Sequence, residues 1–177
     1  MITTQEAIEM IKMDLHNNET DFESYNNYNV RINTNCYAYA IGATLGYSEV
    51  YRLGVFSGKK MDIEEPYSSE KEMKYLLESD LDSLELQYEN IEGKDEEKLK
   101  NEVAKIDLHS NQHIIVLFAN HYANGLLKDF HFLRYDKNRG WTDKRWGIMP
   151  QLISDWPYSL YYNVIAAYII TVKECIN

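Results

Sequence analysis

Hydrophobic periodicity shifts along this chain from mostly helical spacing early to mostly strand alternation late, and this constrains the fold more than any other feature. Thr3 and Glu6 are spaced as a capping box, and Ala7, Ile8, Ile11 and Leu15 follow at helical intervals, which predicts a helix from Thr4 to about Leu15. Ser69 and Glu72 form a second such box ahead of Met73, Leu76, Leu77 and Leu81, and a charged helix is expected over Asp95 to Ile106. The asparagine-rich segment from His16 to Asn35 reads as a surface loop, because Asn, Ser and Thr side chains compete for backbone hydrogen bonds. Thr34 or Asn35 is placed to cap a further helix, C-Y-A-Y-A-I-G-A-T-L, whose small residues let neighbours approach and which should end at Gly46 in the centre of the domain.

The strand signals begin between the last two of these helices along the chain and dominate after them. Leu84 to Tyr88 alternates briefly, His113 to Ala119 is a β-branched and aromatic run, and Asp129 to Asp136 alternates as a half-buried strand. The turn K-N-R-G leads into W-T-D-K-R-W to make a hairpin, and Asn163 to Val172 supplies a last strand. Helices first and antiparallel strands later predict an α+β fold. With 177 residues, no repeat and no linker, residues 1–177 are expected to form a single domain.

The formal charge of −10 argues against direct binding of nucleic acid. It is concentrated between Met61 and Asp107, where sixteen acidic residues face six basic ones, whereas Lys128 to Gly147 is locally positive. No stretch reaches the ~18 to 20 apolar residues of a membrane span, and the first residues lack a signal-peptide layout, so a cytoplasmic protein without membrane association is expected. Cys36 and Cys175 form no paired framework, and two free thiols are expected. His16, His109, His113 and His121 show no metal-ligand spacing, and neither a metal nor another cofactor is expected.

A cysteine in the first turn of a helix faces unpaired N–H groups and the positive end of the helix dipole, which favour thiolate over thiol. His131, at the start of an alternating strand, is the candidate proton acceptor and donor. Asp143 on the neighbouring hairpin strand is the preferred group to orient the imidazole, with Asp136 and Asn138 as substitutes. Each of the three also has a plainer reading: Cys36 as a small buried residue, His131 as a core histidine opposite Phe130 and Phe132, and Asp143 as a hairpin charge. Trp141, Trp146 and Trp156 read either as packing or as lining for a peptide or glycan cleft, with Trp141 the substrate-side candidate.

N-C-Y-A-Y-A-I-G, followed at a distance by D-F-H-F-L-R-Y-D-K-N-R-G-W-T-D-K-R-W-G, resembles the papain-like cysteine hydrolases, in particular the small bacterial and phage members related to cell-wall endopeptidases and amidases. The resemblance implies a papain-like fold with a central helix packed on an antiparallel sheet. It also implies Cys36 as nucleophile, His131 as general base and acid, Asp143 as orienter, and a peptidase or amidase reaction through an acyl-thioester. The oxyanion donors it implies are the Cys36 backbone N–H and a side-chain amide upstream, from Asn33 or Asn35. The chain departs from similar sequences at Asp143, where they carry a histidine or another polar group, and at G-V-F-S-G, where they carry a proline-glycine turn; the latter bears on substrate choice. The same triad also suits acyl transfer. A different class of reading keeps the papain-like scaffold but makes the chain an acidic, non-enzymatic binder of a basic host protein. Such a chain would be a phage-encoded inhibitor of a host nuclease or other nucleic-acid-binding defence protein.

Overall fold

The computed structural model describes residues 3–16, 22–43, 52–59, 69–156 and 161–173, so Gly46 and Cys175 lie outside the described residues. The first capping box closes as its spacing predicts: the Thr3 N–H donates to Glu6 Oε2 at 2.7 Å and the Glu6 N–H to Thr3 Oγ1 at 3.2 Å, opening helix α1 (Thr4–His16). Within the expected loop, residues 17–21 are not described, but a 3₁₀ turn (Glu23–Asn26) and a six-residue helix α2 (Tyr28–Asn33) follow. The polar composition here serves as a cap, since Asn27 Oδ1 accepts from the Asn29 N–H at 2.9 Å.

Helix α3 (Cys36–Ile41) is shorter than expected. It closes at Gly42, whose φ of 84° permits the left-handed turn in which the Ala43 N–H bonds back to the Ala38 carbonyl at 2.9 Å. Ser69 caps α4 (Glu70–Ser83) and Asp95 caps α5 (Glu96–Val103). The strands are β1 (Gln87–Asn90), β2 (Gln112–His121), β3 (Leu127–Asp136), β4 (Gly140–Asp143), β5 (Gln151–Leu152) and β6 (Asn163–Thr171). They form one antiparallel sheet in the order β1-β6-β2-β3-β4-β5, so the chain is α+β. The strand expected at Leu84 starts three residues later, because Leu84 ends α4 and Glu85 turns with a φ of 57°.

Alternation along β2 assigns its two faces. Ile115, Leu117 and Ala119 join a cluster with Ile11 of α1, Tyr37 and Ile41 of α3 and Leu77 of α4, while Ile114, Val116 and Phe118 join Leu99 and Val103 of α5 and Trp156. A strand covered on both faces reads as the continuous apolar run seen in the sequence. Tyr37 stacks on Phe132 at 5.1 Å, which lays α3 along β3.

Two buried polar networks fix α3 in place. Asp80 of α4 accepts from the Tyr37 hydroxyl at 2.6 Å and from the Gly54 and Ser57 N–H groups at 2.7 and 2.8 Å. Burial raises the Asp80 pKa, with those hydrogen bonds opposing the rise. Only glycine fits at position 54, where φ is 86° and a Cβ would sit 1.5 Å from the Lys59 carbonyl oxygen. The G-V-F-S-G segment is thus held against Asp80 and Tyr37. On the sheet side, Arg134 binds Asp136 through Nε and Nη2 and Asp14 through Nη1 at 2.8 Å.

Beside this network the buried His113 ring donates Nε2–H to the Ala40 carbonyl at 3.0 Å, and its Nδ1 has no partner among the described residues. Burial and the Arg134 charge lower its pKa from 6.5 to about 3. Between those values the unfolded chain binds a proton that the native state excludes. Stability should therefore fall on acidification below about pH 6.5, by up to about 1.4 kcal/mol per pH unit. Urea unfolding at about pH 7 and about pH 4.5 checks this. His113→Gln should flatten the slope, and an unchanged slope in that variant would reject the assignment. No helix among the described residues is long and apolar enough to cross a membrane.

Candidate active site

Asn35 occupies the cap position before α3, its Oδ1 accepting from the Ala38 N–H at 2.9 Å, and this puts Cys36 at the first helical position. Cys36 is partly buried against the first cluster. A six-residue helix aligns few peptide dipoles, so its field is weaker than the sequence reading supposes, and the neighbouring side chains matter more.

The register explains how His131 meets Asp143. Leu133 pairs directly with Asp143, and His131, two residues before Leu133, shares its face of β3 beyond the end of β4. Phe130 and Phe132 point the other way, into the first cluster. His131 Nε2 lies 2.7 Å from Asp143 Oδ1. A carboxylate only accepts, so Nε2 carries the proton and Nδ1 is left for Cys36. Burial pulls the imidazole pKa down, but the Asp143 hydrogen bond, the Cys36 hydrogen bond and both negative charges more than reverse it, from 6.5 to about 9. Asp143 is itself buried, and its Oδ2 accepts from Arg145 Nε at 3.0 Å.

Cys36 and His131 face a cleft of about 390 Å³, walled by Asn35, Phe130 and Asp129 with Tyr162 on one part and Lys144, Arg145 and Trp146 on another. Tyr162 donates its hydroxyl to Asp129 Oδ2 at 2.6 Å. The Trp146 indole N–H donates to the Ile32 carbonyl at 2.7 Å, which fixes the ring while leaving 73% of the residue exposed.

Several sequence candidates fall elsewhere. Asp136 pairs with Arg134 on the opposite face of β3, and Asn138 is exposed in the β3–β4 turn, at the far end of the hairpin from His131. Asn33 ends α2 and is not among the residues lining the cleft, whereas Asn35 does line it, with its carboxamide oxygen capping α3. Trp141 lies away from this cleft. It pairs with Tyr135, about 13 Å further along β3 from His131, and packs under Trp156 with ring centroids 4.8 Å apart, so the tryptophan at the cleft is Trp146. The G-V-F-S-G segment contributes no residue to the cleft lining. Lys144, Arg145, Asp129 and Tyr162 were not singled out from the sequence; the first two follow Asp143 within the locally positive stretch, the one signal that pointed to them.

Among the described residues no group of three or more His, Cys, Asp and Glu is arranged to hold a metal ion. No protein-family model, curated protein or solved structure matches the chain.

Proposed function

We propose that this chain is a papain-like cysteine hydrolase that cleaves a peptide or amide bond through an acyl-thioester. One observation carries the reading: His131 is hydrogen-bonded to Asp143, with Nε2 2.7 Å from the carboxylate, and interacts with Cys36 in the same open cleft. Cys36 Sγ attacks the carbonyl carbon, and His131 passes its Nδ1 proton to the leaving amine as the C–N bond breaks. Water then gives a proton to Nδ1 and adds to the thioester, and the C–S bond breaks to release the acid. Asp143 holds the ring in the tautomer that both steps need and stabilises the imidazolium.

The rival reading, an acidic binder of a basic host protein, rests on the charge of residues 61–107. In the described part of that segment Glu70, Glu96 and Glu102 are paired with Lys94, Lys100 and Lys105. Those lysines are already counted in the segment's net −10, so the charge stands as a general field that singles out no partner surface, and the hydrolase reading, which rests on a specific juxtaposition of side chains, is the better supported.

The test is the rate of Cys36 alkylation by iodoacetamide, read by peptide mapping against glutathione. At about pH 6, below the ordinary thiol pKa of about 8.5, Cys36 should react at least about tenfold faster than the reference, and His131→Ala should abolish the advantage. Reaction at the reference rate in the parent protein would overturn the proposal.

A further inference from the structure

Lys144 is fully buried at the cleft, directly after Asp143. Its Nζ donates to the carbonyl of Arg31 in α2 at 3.0 Å and to the carbonyl of Arg145 at 2.8 Å, and it sits 5.8 Å from the Tyr25 ring centroid. No acceptor for the third N–H is found among the described residues. Two carbonyl oxygens would tether a neutral amide equally well, so tethering alone does not account for an ammonium here. Burying one is costly unless a negative charge compensates it.

Lys144 lines the same cleft as Cys36 and directly follows Asp143, which puts both groups near its charge. Burial lowers its pKa to about 8, Arg31 pushes it further down, and the two negative charges that oppose the fall are Cys36 and Asp143. Both belong to the proposed site. Asp143 is already engaged by His131 and Arg145, which leaves Cys36 as the anionic partner whose charge depends on the reaction. Charge interaction is mutual: a group that gains from negative charge at Cys36 stabilises that charge.

Resting on the hydrolase reading, we propose that Lys144 is a positioning residue whose buried ammonium stabilises negative charge at Cys36, so that the nucleophile is held between two cations, His131 and Lys144. The role is exerted through Cys36 and requires no contact with the substrate. It differs from that of His131, which transfers protons, because Lys144 is fixed by backbone carbonyls and keeps its proton through the cycle at neutral pH.

The experiment measures the Cys36 alkylation rate with iodoacetamide, as a function of pH, in the parent protein and in Lys144→Met, Lys144→Gln and Lys144→Arg. Lys144→Gln keeps an amide donor for the Arg31 carbonyl and guards against a variant that fails to fold, which far-ultraviolet circular dichroism and urea midpoints would reveal. Loss of the charge should slow alkylation about tenfold at about pH 6 and move the acid limb of the profile upward, while Lys144→Arg restores most of the rate. A merely structural tie would be served by Gln and would leave the limb in place. A folded Lys144→Gln protein with the parent's profile overturns the proposal, as does an Arg variant no faster than Gln. Sensitivity to His131→Ala with indifference to Lys144 would reject this inference alone, whereas indifference to both would reject the hydrolase reading beneath it.

Discussion

Cys36→Ala is expected to lower turnover of any peptide or amide substrate cleaved by the parent protein by at least about 10³-fold, with an unfolding free energy within about 1 kcal/mol of the parent. The two halves of this expectation have separate causes. In the proposed reaction no thioester forms without Sγ, and the remaining groups of the cleft have nothing to activate. The stability term is small because Cys36 is only partly buried and alanine is a favourable helical residue at the first position of α3. Hydrolysis of a short peptide library followed by mass spectrometry, together with urea unfolding, measures both. Turnover within tenfold of the parent would remove Cys36 from the mechanism.

The same site sets an alkaline limit. In the proposed reaction the leaving amine takes its proton from His131, whose pKa is raised from 6.5 to about 9, so turnover should fall as pH rises through about 9. The linkage has the matching sign. Because the folded-state pKa lies above the unfolded value, stability from the charged ring is complete below about pH 6.5 and is lost progressively towards about 9. His113 acts at the opposite end of the scale, since its lowered pKa makes acid the destabilising condition.

What the sequence made legible was what local chemistry decides. The capping boxes at Thr3 and Ser69 declared two helices, because a side chain reaching its own first turn needs no tertiary context. Period-two alternation located β3 and put His131 opposite Phe130 and Phe132, and a hairpin spacing of 12 residues was enough to suggest Asp143. Helix α2 escaped because it is short and buries nothing, so it carries no apolar period. Trp141 and Trp146 could not be ranked from composition. Only the register and the position of Trp156 show that one is covered and the other faces the cleft. Lys144 reads in the sequence as one more hairpin charge, and its placement depends on the Arg31 carbonyl of α2, more than one hundred positions earlier in the chain.

Arg134 is the other residue whose weight the sequence concealed, and its removal should give the largest loss of stability. The guanidinium is buried and makes a forked contact with Asp136, reaches Asp14 of α1 at 2.8 Å and touches the Tyr39 carbonyl of α3 at 3.3 Å. Burial opposes its charge, but Asp136 and Asp14 raise its pKa above the ordinary arginine value; burial likewise opposes the Asp136 carboxylate, which Arg134 nevertheless holds below its usual range. Arg134→Ala would leave Asp136 charged and unpaired in the interior, a defect expected to cost about 3 to 5 kcal/mol. Because the same side chain braces α3, the alkylation rate of Cys36 should fall with it. Arg134→Met combined with Asp136→Leu removes both charges together and should recover most of the loss in urea unfolding, since the penalty belongs to the orphaned carboxylate more than to the missing attraction. A single variant within 1 kcal/mol of the parent, or a double variant no more stable than the single, would show that α3 is held chiefly by Tyr37, Phe132 and Asp80 instead.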